Sequence, residues 1–290
     1  KTNLKMISRN IIKIAEQDFV FLSYDEQNAE KNYADLKRII PWAKRVHGVD
    51  GTDAAHKLTI LASIAFGNPL RFESVYKEGI TAITEEDVNN AEELGYRIKH
   101  LGIAKKGIHG VELRVHPTLI PERRLLANVD GVKNAILVQG DAVGPTLYCG
   151  AGAGANPTAS AVVSDLVDLV RTLSASPEHR VPYLAFQPEA VTDFPIMSMD
   201  MIRTAFYLRL FAVDKPGVLA EVAGILAERE ISIEAVVQKE PKPQQHHVNL
   251  ILLTHPVNEG SMNEALKKIE LLPTIKGPVT RIRVEQLDVD

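Results

Sequence analysis

Apolar residues change their spacing several times between residues 50 and 172, and each change marks an element. In TDAAHKLTILASIAF, Leu58, Leu61, Ile64 and Ala65 repeat at helical intervals, with Thr52 or Asp53 placed to cap the start and Gly67, Asn68 and Pro69 to stop it. TEEDVNNAEELGYRIKHLG predicts a second helix. Thr84 is its cap, Asp87 the partner three residues on in a capping box, and Gly95 and Gly102 punctuate its end. GVELRVHPTLI alternates like a strand, and PERRLLANV reads as a short helix opened by a proline. NAILVQG and PTLYCG are two strands joined by the turn residues DAVG. A glycine-rich turn then leads into a long apolar-faced helix, NPTASAVVSDLVDLVRTL.

Residues 173–203 carry four prolines and no period, which predicts a linker. Residues 204–290 resume a strict pattern: strand AFYLRLFAV, turn DKPG, helix VLAEVAGILAERE, strand ISIEAVVQKE, turn PKPQQ, strand HHVNLILLTH, helix EGSMNEALKKIELL and strand VTRIRVEQ. That order is a βαββαβ unit of the ferredoxin-like type. The first 48 residues mix a helix, the short strand FVFLS and a charged helix interrupted by Pro41, with no glycine loop that would cradle a phosphate. The fold class expected is therefore α/β or α+β: a mixed sheet with helices, then a ferredoxin-like βαββαβ domain. The expected divisions are 1–48, 49–172, a linker over 173–203, and 204–290.

Composition narrows the function. With 33 basic and 37 acidic residues the formal net charge is −4, and no basic tract interleaved with aromatics offers a phosphate backbone a surface, so nucleic acid is not an expected partner. No apolar run is long enough for a membrane span and the first residues lack the apolar stretch of a signal peptide, so a soluble, cytoplasmic protein is expected. One cysteine, Cys149, excludes an internal disulfide and a multi-cysteine zinc site. No metal is expected.

Three stretches carry candidate chemistry. In VDGTDAAHKL, Asp53 and Lys57 lie four residues apart on one helix face. That spacing by itself favours a plain surface ion pair; only at a cleft would it read as a carboxylate that holds an ammonium beside a lysine that moves a proton. His56 points elsewhere and has no zinc-ligand spacing around it. In YCGAGAGANPTAS, Gly150, Gly152 and Gly154 stand between a strand and a helix, where backbone N–H groups receive anions or where a tight turn needs glycine. In DKPGVLAEVAGIL, Asp214 ends a strand and Gly217 opens a helix. Exposed N–H groups there, with Val218 and Leu219 beside them, suit the carboxylate of an amino acid. His116, at a strand end, reads as structural.

Taken in order, VDGTDAAHKLTILASIAFG, GITAITEEDVNNAEELGYRIKHLGIA, VELRVHPTLIP and GVKNAILVQGDAVGPTLYCGAGAGANPTASAVVSDL resemble the homoserine dehydrogenase family across residues 49–172. The C-terminal unit resembles an ACT domain, a small amino-acid-sensing module. The resemblance implies an NAD- or NADP-dependent oxidoreductase that interconverts aspartate 4-semialdehyde and homoserine, with these as its small-molecule substrates. Gly51, Asp53 and Lys57 match the Gly-x-Asp-x-x-x-Lys end of the family signature. Lys57 is then the acid/base residue, and Asp53 the carboxylate that holds the substrate's amino group. Gly150, Gly152 and Gly154 match a glycine turn whose helix returns to the nucleotide-binding domain. The ACT unit would bind an amino-acid effector, threonine first, and pair between subunits of a homo-oligomer.

The pattern also departs from the family. Residues 1–48 hold no GxGxxG turn, no GTTN segment and no Gly-Tyr-x-Glu stretch before VDGTD, so they stay unassigned, with a remnant of a nucleotide-binding domain as the candidate reading. A rival reading is a non-catalytic amino-acid-binding regulator on a degenerate dehydrogenase. A third is a scaffold that only mediates assembly.

Overall fold

The computed structural model describes residues 18–22 (backbone only), 50–131, 133–152, 154–176, 180–182, 184–239 and 247–287. The helices expected within residues 1–48 and the turn PKPQQ lie outside the described residues. Strand β1, Asp18–Leu22, matches the short strand expected there.

Helix α1 runs from Thr52 to Phe66. Its cap differs from expectation. Neither Thr52 nor Asp53 caps it; Gly51 does, at φ 85°, while the Asp50 carboxylate accepts from Thr52 N–H at 2.9 Å. The buried stripe is also rotated, to Ala54, Ala55, Leu58, Ala62 and Ala65, with Leu61 only partly buried. Small side chains along that line let the helix axis approach the sheet closely. The helix ends at Gly67 in the left-handed conformation, whose N–H bonds to Ser63 O at 3.0 Å.

Strand β2 (Tyr76–Lys77) leads to helix α2, Glu85–Glu93. The capping box forms as expected: Asp87 N–H donates to Thr84 Oγ1 at 3.3 Å and Thr84 N–H to Asp87 Oδ2 at 3.0 Å. Helix α2 stops at Gly95, and Gly102 belongs to strand β3, Tyr96–Gly107, instead. The stretch YRIKHLG pairs with Val115–Pro121 of β4, Gly110–Pro121, and that ladder overrides its helix-forming arginine, lysine and leucine. The helix expected for PERRLLANV is reduced to a 3₁₀ turn at Leu125–Asn128, because Pro121 still belongs to β4. Strands β5 (Lys133–Gly140) and β6 (Gly144–Ala151) form the expected hairpin. Helix α3 follows over Ala155–Leu173. It buries none of its residues, and Val163, Leu166, Val170 and Leu173 stand exposed along it.

Residues 195–197 run along the start of β4. Val111 N–H bonds to Pro195 O at 2.9 Å, Met197 N–H returns to Val111 O at 2.9 Å, and Phe194 and Ile196 pack on the core under α1. Gly110, at φ 133°, is the close approach: a Cβ there would lie 2.2 Å from Pro195 O. Gly110→Ala is expected to cost about 1–3 kcal/mol in denaturant unfolding, because it adds backbone strain to a steric clash. An unchanged midpoint would show that this crossing gives way freely.

The C-terminal unit contains β7 (Arg203–Val213), α4 (Val218–Ala227), β8 (Ile233–Gln238), β9 (His247–Thr254), the short β10 (Val257–Asn258), α5 (Glu259–Glu270) and β11 (Thr280–Val284). The βαββαβ order is as expected. Both helices cover one sheet face through Val222, Leu226, Met262, Ala265 and Ile269. Strand β11 also pairs in parallel with β4, so one sheet runs β6-β5-β1-β3-β4-β11-β7-β9-β8 through both halves. The opposite face of the C-terminal strands closes on α2 and β3 through Tyr207, Ile251, Ile282 and Ala91.

Buried charges cross the same junction. Asp87, fully buried on α2, accepts from Arg209 Nε of β7 at 2.6 Å and from Tyr207 Oη at 3.3 Å. Burial opposes its charge, but the bonds from Arg209 and Thr84 prevail and hold its pKa below the usual carboxylate value. Arg114 on β4 donates to Glu285 Oε1 at 2.6 Å. The fully buried Arg283 on β11 bonds Glu259 and reaches Glu78 Oε2 at 2.8 Å.

Candidate active site

The start of α1 presents the first candidate pair. Lys57 Nζ lies 2.7 Å from Asp53 Oδ2, and their side chains are 42% and 47% exposed, so a solute can reach both. An exposed pair of this spacing contributes only about 0.3–0.5 kcal/mol to stability. His56 points away and packs its ring on Phe72, with centroids 3.9 Å apart.

Beneath the pair, Gly51 is seated on the sheet. A Cβ on Gly51 would meet Val115 Cγ1 at 3.1 Å and His100 Cε1 at 3.4 Å. His100 Nε2 lies 3.0 Å from Glu78 O; a carbonyl only accepts, so that nitrogen carries the proton. Burial lowers the His100 pKa and the ring stays neutral. Neither His100 nor Glu78 stood out in the sequence. His100 lies in a stretch with helical composition, and Glu78 follows a strand only two residues long.

The glycine turn lies at the same end of the sheet. Register aligns Cys149, Ala135, Leu22, Leu101 and His116 in one row across β6, β5, β1, β3 and β4. Gly150 follows Cys149 and His100 precedes Leu101 on antiparallel courses, so both project from that end, three strand spacings or roughly 14 Å apart. The space around Gly150 is open. Gly152 crosses Asn134, whose amide a Cβ would overlap. Gly154, at φ 115°, is the N-cap of α3 and supplies no side-chain bond to its first N–H groups. The open backbone at Gly150 and the glycine N-cap of α3 leave room for an anion, whereas glycine at 152 is required by its contact with Asn134.

His116 is fully buried. Arg114 Nη1 donates to its Nε2 at 2.8 Å, so Nδ1 carries the proton, and burial with the Arg283 and Arg114 charges holds its pKa well below the usual value. It is a structural histidine.

In the C-terminal unit, Asp214, Gly217, Val218 and Leu219 line a cavity of about 310 Å³ at the start of α4. Gly217 is the N-cap at φ 95°, without a side-chain cap bond. Gln238 of β8 and Val248 of β9 also line it. No local signal marked these two, since strand pairing alone brings them there.

An open α/β sheet with a reachable Asp53–Lys57 pair and a glycine turn at one end continues into a βαββαβ unit with its own cavity, a two-part architecture of a mixed-sheet domain with an appended ferredoxin-like module. The comparisons agree. The family model for homoserine dehydrogenase matches residues 45–167 and that for the ACT domain residues 206–271. The homoserine dehydrogenase of Pseudomonas aeruginosa is 60% identical over 240 residues, 83% of this chain and 55% of that protein. That of Neisseria gonorrhoeae is 51% identical over 82% of this chain and 55% of its own length. The crystal structure of a homoserine dehydrogenase from Thiobacillus denitrificans superposes with a TM-score of 0.87 at 51% identity, covering 98% of this chain and 68% of that one. This chain belongs to the homoserine dehydrogenase family. It spans 55% of the length of the two curated relatives named above.

Proposed function

We propose that the protein catalyses the reversible, NAD- or NADP-linked interconversion of aspartate 4-semialdehyde and homoserine, with residues 49–172 carrying the chemistry and 204–290 sensing an amino acid. The observation that carries this reading is the reachable Asp53–Lys57 pair of the family signature, placed at the same sheet end as the Gly150–Gly154 turn. Asp53 holds the substrate's ammonium group and keeps Lys57 in place. Lys57 faces the reacting oxygen, gives it a proton as the aldehyde is reduced, and takes the hydroxyl proton in the reverse direction. Bound nicotinamide supplies the hydride-exchanging ring. Gly150, Gly152 and Gly154 admit the cofactor's backbone-facing side, and the open apolar face of α3 is a surface that a nucleotide-binding domain would cover. The reading implies a cytoplasmic biosynthetic enzyme that assembles as a homo-oligomer.

The test is to incubate the purified protein with homoserine and NADP or NAD and follow reduced cofactor. Homoserine-dependent reduction supports the proposal. Absence of turnover with retained threonine binding would favour the non-catalytic regulator instead.

For the sensor we take threonine at the Asp214–Leu219 cavity as effector. Gly217→Val places a β-branched residue at a left-handed N-cap and is expected to raise the half-inhibiting threonine concentration by roughly ten-fold or more, with kcat in its absence unchanged. Unchanged inhibition in a titration would locate the effector elsewhere.

A further inference from the structure

Two elements of different origin share one edge of β4. Strand β2 pairs with it at Arg114 and Val115, and β11 from the C-terminal unit pairs with it at Thr118 and Leu119. Arg283 spans the junction between them. Its Nε donates to Glu259 Oε2 at 2.7 Å within the C-terminal unit, while Nη1 reaches Glu78 Oε2 at 2.8 Å and Nη2 reaches Tyr76 Oη at 3.1 Å. Tyr76 in turn donates to Glu78 Oε2 at 2.8 Å. A fully buried guanidinium held by a second, 2%-exposed carboxylate cannot move without stranding a charge, so it is a rigid point of attachment for Glu78.

Glu78 passes this constraint on through its backbone. Its N–H is fixed to Val115 O at 2.8 Å, and its carbonyl accepts from His100 Nε2 at 3.0 Å. His100 and Val115 are the two side chains on which Gly51 rests. Gly51 O accepts from Ala55 N–H at 2.9 Å, which closes the first turn of the helix that carries Asp53 and Lys57.

We propose that Arg283 is a positioning residue for the Asp53–Lys57 pair, acting from the C-terminal unit through Glu78 and His100 on the seat of Gly51. The unit is thereby part of the geometry of the site as well as a sensor attached to it. The inference rests on the functional reading above only for the role of Lys57; the mechanical linkage stands on contacts alone.

The test uses the full chain with Glu78→Ala, Glu78→Gln and Arg283→Lys. The Glu78 side chain is 29% exposed, so its variants fold even where a change at Arg283 does not. Amide exchange of residues 51–58 is measured by mass spectrometry together with kcat and KM for homoserine. In Glu78→Ala, exchange over 51–58 rises on the order of ten-fold and kcat falls by a similar factor while KM moves little, because a charge-assisted hydrogen bond is lost. Glu78→Gln, which still accepts from Arg283, recovers most of both, and Arg283→Lys, one donor in place of a fork, lies between. Exchange over 51–58 that stays at the wild-type rate, or rises no more than in the rest of the sheet, overturns the proposal. If turnover survives loss of Lys57, the functional reading fails, yet the exchange result still decides the linkage.

Discussion

Lys57→Ala is expected to lower kcat for homoserine oxidation by roughly 10²–10⁴-fold, the usual contribution of a positioned acid/base group, while dinucleotide affinity stays near the wild-type value. The expectation follows from geometry. Lys57 meets Asp53 at 2.7 Å with both side chains reachable from solvent, and Gly51 fixes the start of their helix against His100 and Val115. Removing the ammonium leaves the fold intact, because the buried stripe of α1 runs through Ala54, Leu58, Ala62 and Ala65 instead. Stopped-flow turnover with a parallel fluorescence titration of cofactor separates the two quantities. Near-normal kcat would remove Lys57 from the mechanism.

The second large effect is on stability. Asp87→Ala is expected to cost about 3–5 kcal/mol, because it removes the buried carboxylate that pairs with Arg209 and accepts from Tyr207 at the junction of the two halves, together with the Thr84 capping box. For a chain of this size that lowers the thermal midpoint by roughly 10 °C. The pH dependence has a defined sign. Asp87 and Glu285 both have folded pKa values below the ordinary carboxylate value, Glu285 because the Arg114 and Lys105 charges and bonds outweigh its burial. Their stabilisation is therefore complete above the unfolded value of about 4 and is lost as pH falls through the folded values. The gap between wild type and Asp87→Ala should narrow on acidification below about pH 4. A gap independent of pH would show that Asp87 acts through packing.

Local pattern carried far along this chain because most elements announce themselves. The Thr84–Asp87 box, the β5–β6 hairpin and the βαββαβ order all follow from spacing and turn residues. Long-range pairing was invisible. YRIKHLG looks helical and becomes strand because β4 offers it a full partner, and the buried face of α1 turned toward alanines because the sheet lies close. The same limit applies to the site. Asp53 and Lys57 are legible as a spacing and a signature, whereas Glu78 and Arg283 meet only through the shared edge of β4, and His100 reaches Glu78 from β3 on the other side. Gln238 and Val248 likewise reach the C-terminal cavity through strand pairing alone.

The proposed division of roles has Asp53 hold the ammonium of a small amino alcohol while Lys57 moves the proton. It is tested most directly by kcat/KM for homoserine against 4-hydroxybutyrate, its analogue without the amino group, in wild type and Asp53→Asn. Wild type is expected to prefer homoserine by roughly 10²-fold or more, as befits a site that pairs a charged group, and Asp53→Asn to lose most of that preference. An equal preference in both proteins would contradict it.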